Sequence, residues 1–341
     1  MYGLHRRFRV SHPVIPVTLL FADGVSRRIA VPQGGKLIEA AIESGLNLLT
    51  DCSNGQCGTC TAQLVSGSVD LDDYDPAVLP DEDRADGTVL PCVCRVSSAC
   101  AIELPYDSSE ALDEEPEPIP AEVTAIDAIA SETWRLEVQV AQPVVFEPGQ
   151  YVRITPAGAD FHRSYSMANV PGTERLQFFI RQVPGGAFSE WLAGAKPGDR
   201  LTLSAPHGTF FLRDEDRPRL FVAGGTGVAP FLSMLRSMVG HPPPQPTTLV
   251  FGARTPGHLF ALDEIEQLRG QLQGVDLRIA VEHDAQAGCH SGYPTDLIPT
   301  LGLDPSTRVY LCGPPPMVEA GRHAAEAAGI RRADVLCERF A

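Results

Sequence analysis

The chain has 341 residues, enough for two or three domains. Its 43 acidic residues against 27 basic ones leave a net charge of −16, which argues against nucleic acid and for a protein partner with a basic surface. No apolar run approaches the roughly 18 residues of a membrane span, and Pro13, Pro16 and Asp23 interrupt any apolar stretch near the start. Neither a membrane segment nor a signal peptide is expected, and the protein reads as cytoplasmic and monomeric.

In chain order, Val17–Phe21 and Ser26–Val31 alternate around Asp23-Gly24 and predict a β-hairpin. Leu37–Leu46 has helical spacing, with Leu37, Ala41 and Ile42 expected on one face. A cysteine-rich loop follows, then strands at Gln63–Val65 and Ala101–Leu104. The acidic, proline-rich run DSSEALDEEPEPIPAE cannot bury enough apolar surface to order itself and is expected to be a linker. Beyond it, short strands at Glu122–Ile126, Trp134–Val140, Gln150–Thr155, Leu176–Gln182 and Arg200–Ser204 alternate with Gly/Pro turns. A short helix, Phe188–Ala193, interrupts them, and the whole suggests an antiparallel barrel. From Arg217 onward strands alternate with helices: strands Leu220–Ala223, Thr248–Gly252, Leu277–Val281, Arg308–Cys312 and Asp334–Glu338, and helices Pro230–Val239, Asp263–Leu272 and Pro316–Ala328. That alternation predicts a doubly wound parallel sheet. The expected fold is therefore multidomain, α+β and α/β: a first domain at 1–108, a linker at 109–120, a barrel at 121–213 and a parallel-sheet domain at 214–341.

Six of the nine cysteines fall between Cys52 and Cys100. An odd, clustered set in a cytoplasmic chain points to a metal centre rather than to disulfides. Cys52, Cys57 and Cys60 have the C-x4-C-x2-C spacing of a plant-type [2Fe–2S] loop, and Cys92 supplies a distant fourth thiolate. Gly55 and Gly58 let the backbone curl around a cluster. Zinc is the rival metal, although it favours paired C-x2-C units. Cys94 competes with Cys92 for the fourth position, its alternative being a buried thiol, and Cys100 reads as core.

Arg163-Ser164-Tyr165-Ser166 combines an arginine able to fork onto a pyrophosphate, a flat aromatic face and a hydroxyl donor. Some 20 residues on, Gly186, Phe188 and Ser189 open a helix whose N–H groups suit a phosphate. Downstream, the first parallel strand leads into Gly224-Gly225-Thr226-Gly227, a backbone open to a dinucleotide, though not in the G-x-G-x-x-G form. Cys312-Gly313-Pro314-Pro315-Pro316-Met317 lies at the carboxyl end of a later strand, where open α/β sheets bind ligands. Cys312 also fits as a small apolar filler.

Taken together, Cys52–Cys60 with Cys92, Arg163–Asn169 (RSYSMAN), Gly224–Leu235 (GGTGVAPFLSML), Cys312–Val318 and the ending Glu338-Arg339-Phe340 resemble the reductase components of bacterial aromatic-ring dioxygenases, the benzoate dioxygenase reductases above all. The resemblance covers nearly the whole chain. It implies a β-grasp ferredoxin, a flavin barrel holding FAD and a nucleotide domain holding NADH. It also implies that Arg163 binds the FAD pyrophosphate, Tyr165 stacks on the flavin and Ser166 faces its N5. Phe340 covers the other flavin face, unless it is simple terminal packing, with Cys312 near the nicotinamide and Glu338 at the reactive edge. Ser164, Ile180, Arg181, Gly225, Thr226, Gly227, Gly313, Pro314 and Met317 are expected at the same cofactors. Electrons would run from NAD(P)H to FAD to [2Fe–2S] and out to a terminal oxygenase. Reductases of diiron hydroxylases share this layout, and a non-enzymatic redox sensor is the alternative of a different class. Benzoate-type reductases commonly carry an acid where His258 stands; its absence, with Arg254 nearby, predicts NADH use with NADPH tolerated.

Overall fold

The computed structural model describes residues 13–50, 53–56, 58, 60–76, 78–111, 117–208 and 210–340. Cys52, Cys57, the N-terminal segment before Pro13 and most of the acidic run's centre lie outside the described residues. Compact units are Met1–Glu115 with Arg213–Glu215, and Pro116–Leu212 with Asp216–Ala341.

In the first unit the hairpin forms as the alternation requires: Val14–Leu20 pairs antiparallel with Ser26–Pro32. The Asp23 carboxylate accepts from the Val25 N–H at 3.2 Å, closing the turn. Val14–Leu20 also runs parallel to Cys100–Glu103, which pairs with Ala62–Ser66 and then Thr88–Val89, giving a five-stranded mixed sheet. Helix Leu37–Glu43 packs on it, and this is a β-grasp. Its buried face is Leu37, Ala40 and Ala41. Ile42 is 58% exposed, contrary to expectation, because the positions i, i+3 and i+4 share a face whereas i+5 turns away. The acidic run is ordered at its start. Ser108–Glu110 is a 3-10 turn with an Asp107–Glu110 capping box, Ser108 Oγ donates to Asp23 at 2.7 Å, and Ala111 is buried in the sheet core.

The second unit holds two sheets. Six antiparallel strands form a half-barrel, built around the long hairpin Ile119–Ala130 and Thr133–Val144. Leu136, Val138 and Val140 face inward at period two, with Leu176, Phe178 and Ile180 opposite on Thr173–Arg181. Arg163–Ser166 is a strand in its own right, paired with Tyr151–Pro156; its polar pattern hides it from a search for alternation.

The other sheet is wholly parallel, in the order His290–Ser291, Val275–Val281, Thr247–Ala253, Arg219–Gly224, Arg308–Gly313, Val335–Arg339. Its central strands are buried on both faces and read as continuous apolar runs. Helix Val228–Met238 is buried almost throughout, because Ala168, Phe179 and Phe210 of the half-barrel share its core with Phe221 and Tyr310 of the parallel sheet. Two of its polar side chains bind the chain just after Arg163–Ser166: Ser233 Oγ donates to Asn169 O at 2.7 Å and Arg236 Nη1 to Ala168 O at 2.5 Å.

Candidate cofactor sites

Cys60 and Cys92 place their Sγ atoms 3.2 Å apart in an apolar pocket with Leu79, Leu90 and Val93. The 3-10 turn Pro91–Val93 aims Cys92 at Cys60, whereas Cys94, one step into strand Cys94–Val96, packs into the sheet core. Cys100 joins that core, as expected. Burial pushes the Cys60 thiol up to about 12. A thiol so held stays protonated unless a cation compensates, so it is not a reactive thiolate in its own right. Gly55 has φ +76°, and a Cβ there would stand 2.6 Å from Tyr74 Cβ, so only glycine lets the loop close against this wall. Two adjacent buried sulfurs, with Gly55 packed on Tyr74, fit a thiolate-bound cluster.

The second unit contains two neighbouring cavities at the carboxyl end of the parallel strands. One, of about 550 Å³, is lined by Arg163, Ser164, Tyr165, Ser166, Gly186, Phe188, Ser189 and Glu338. The other, of about 520 Å³, is lined by Gly225, Arg254, His258 and Met317 among others. Each is of a size to take a cofactor. Arg181, Thr226, Pro314 and Phe340 belong to both. Phe340 thus stands at the boundary between them, its N–H donating to Gly313 O at 3.3 Å.

In the first cavity the Tyr165 ring is braced by Phe188 at 4.8 Å, itself held by Trp191 at 5.0 Å. Arg163 donates to His162 O and lies over the Phe161 ring. Ser189 Oγ accepts from Val183 N–H, fixing the loop that precedes helix Ala187–Gly194. At the cavity wall strand ends bring together a three-residue cluster, of which Ser166 and Glu338 line the cavity while Cys312, expected at the nicotinamide, is wholly buried behind them and lines neither cavity. Ser166 Oγ donates to Glu338 Oε2 at 2.9 Å, and Cys312 Sγ approaches the same oxygen at 3.7 Å. Burial raises Glu338 to about 7, against the pull of both contacts. Burial and the facing carboxylate hold the Cys312 thiol protonated, well above its ordinary value. A carboxyl poised near neutrality beside a hydroxyl can exchange a proton with a bound ring. Braced aromatic, exposed arginine, helix N-terminus and a cavity of about 550 Å³ together fit FAD.

Some expected residues lie elsewhere. Ile180 turns its side chain into the half-barrel core, while its neighbour Phe179 lines the cavity. Gly227 and Gly313 are packed behind the wall; a Cβ at Gly227 would collide with Cys312 O. Sequence reasoning missed Tyr151, stacked on His207 at 5.7 Å beside the flavin cavity. It also missed Glu132 in the nucleotide cavity. Glu132 Oε2 accepts from Arg254 Nη2 at 3.0 Å and lies 3.8 Å from His258 Nε2. Glu132 thus brings an acid, from the half-barrel hairpin, to the stretch after strand Thr247–Ala253, where the expected NADPH tolerance had counted none.

Three family patterns match the chain: the 2Fe-2S iron-sulfur cluster binding domain at 20–97, the oxidoreductase FAD-binding domain at 120–212 and the oxidoreductase NAD-binding domain at 221–323. The toluate 1,2-dioxygenase electron transfer component of Pseudomonas putida is 34% identical, across 94% of this chain and 97% of that protein. The propane 2-monooxygenase reductase component of Mycolicibacterium goodii is 32% identical, across 93% and 95%. Among solved structures, the Amycolatopsis cytochrome P450 reductase GcoB superposes with a TM-score of 0.64 at 29% identity, covering 95% of this chain and 98% of that one.

Proposed function

Because the chain belongs to the family of electron-transfer reductase components that join a plant-type ferredoxin to FAD- and NAD-binding domains, we propose that its electrons leave for a terminal oxygenase of the Rieske type acting on an aromatic ring. The chain is an NAD(P)H oxidoreductase carrying electrons from NAD(P)H through FAD to [2Fe–2S]. Flavin accepts a two-electron hydride and releases electrons singly, which is why it stands between nicotinamide and cluster. The observation that carries the reading at the site is the Ser166–Glu338–Cys312 cluster, set beside an aromatic partition between two cavities.

In this reading Arg163 holds the FAD pyrophosphate, Tyr165 and Phe188 fix the flavin plane, and Phe340 yields its place to nicotinamide. Glu338 keeps a proton within reach of the reacting ring through Ser166. Cys52, Cys57, Cys60 and Cys92 hold the cluster, and the protein acts as a cytoplasmic monomer. Helix Asp81–Ala85 exposes Asp81, Glu82 and Asp83 with no buried residue, a face suited to a basic partner. The identity to propane 2-monooxygenase reductase components keeps a monooxygenase partner as the second reading. Reconstitution with a purified Rieske oxygenase and with a diiron hydroxylase separates the two. NADH-driven product formation is expected with the former, weakening as salt rises while ferricyanide reduction stays constant. Product only with the hydroxylase overturns the proposal.

A further inference from the structure

We infer that Glu132, a residue of the flavin-side hairpin, selects NADH over NADPH by occupying Arg254. The inference rests on the nucleotide cavity being the NAD(P)H site.

Glu132 sits in the turn between strands Ile119–Ala130 and Thr133–Val144, at φ +54°, a left-handed conformation that non-glycine residues rarely adopt. The turn is held on both sides: Gln182 N–H donates to Glu132 O at 2.8 Å, and Ser131 N–H donates to Gly257 O at 2.8 Å. This docks the hairpin tip on the 3-10 turn Pro256–His258 and projects the carboxylate into the cavity. There it meets Arg254, just past the carboxyl end of strand Thr247–Ala253, where an α/β nucleotide domain reads the adenosine ribose.

The hydrogen bonds fix each role. A guanidinium only donates, so His258 Nε2, 2.8 Å from Arg254 Nη2, accepts. The imidazole proton then lies on Nδ1, donating to Thr255 Oγ1 at 2.7 Å. Arg254 is thereby held between a carboxylate and a neutral imidazole. A ribose 2′-hydroxyl can donate to the second lone pairs of Glu132 without disturbing this set. A 2′-phosphate must draw Arg254 away from Glu132 and then lie beside that carboxylate, with Glu282 and Asp296 also on the cavity wall and Arg181 as the other cation there. Both steps disfavour NADPH. The pair is half-exposed, so its effect is on choice between ligands rather than on fold stability.

The test is kcat/KM for NADH and NADPH with ferricyanide as acceptor, on the flavin-loaded full chain, in wild type, Glu132→Gln, Glu132→Asn and each combined with Arg254→Ala. Asparagine is tolerated in left-handed backbone, so at least one charge-removing variant keeps the turn. Wild type is expected to prefer NADH. Removing the carboxylate is expected to move the NADPH/NADH ratio toward NADPH by about tenfold, and Arg254→Ala to cancel that gain. A ratio unchanged in folded Glu132 variants that still oxidise NADH overturns the inference alone. Loss of a nicotinamide reaction in wild type overturns the reading beneath it.

Discussion

The cysteine pocket and the flavin cavity use one physical cause to opposite ends. In both, burial raises the pKa of an acid: Cys60 to about 12, Glu338 to about 7. At the first site the thiol stays protonated unless a cation compensates, and its 3.2 Å approach to Cys92, rather than a shift that Cys100 shares in the sheet core, is what suits it to a ligand's role. At the second, burial leaves a carboxyl half-titrated near neutrality, so the group can exchange protons. The starting pKa and the neighbours make the difference, not the depth alone.

The largest expected effect separates ligand from filler in the first region. Cys92→Ser should abolish the cluster's visible absorption and its EPR signal after reduction, while Cys94→Ser keeps both. The reverse pattern would place the fourth thiolate at Cys94. Next, Gly227→Ala drives a Cβ against the Cys312 carbonyl, backbone that cannot yield. A loss of about 2–3 kcal/mol is expected in the unfolding free energy of the second unit, read by thermal denaturation, with the cluster signal retained.

The loop was legible in sequence because three of the four expected cluster ligands lie close along the chain at a fixed spacing, with only the fourth, Cys92, far off. Cys52, Cys57 and Cys60 announce themselves by spacing, as does the Asp-Gly hairpin by its alternation. The Ser166–Glu338–Cys312 cluster was legible only through resemblance, since strands from three distant segments converge on it. Glu132 was not legible at all: it is an ordinary acid in an ordinary turn, 122 residues from the arginine it holds. Strand Arg163–Ser166 was hidden because it presents polar residues to a cavity instead of alternating against a core.

A smaller effect tests the carboxyl. Glu338 binds its proton more tightly folded than unfolded, so the stability it contributes is full below about pH 4.5 and is lost as pH rises through about 7. The loss is on the order of 1–3 kcal/mol, lessened by the open cavity beside it. Glu338→Gln should flatten the melting temperature across that window; an unchanged slope would assign the pH dependence elsewhere. Smallest is Phe340→Ala, which removes the partition between the cavities. A change of a few-fold in the flavin reduction rate, with an altered charge-transfer band on nicotinamide binding, is expected. Neither change would leave Phe340 as terminal packing.

The order of electron flow is tested most directly by mixing NADH anaerobically with the fully loaded protein and with its Cys92→Ser variant, following flavin absorbance and the reduced-cluster EPR signal in time. The account predicts flavin bleaching at the same initial rate in both, with the EPR signal growing later and only in wild type. A reduced cluster that appears before flavin bleaching, or a variant whose flavin no longer accepts electrons from NADH, would contradict it.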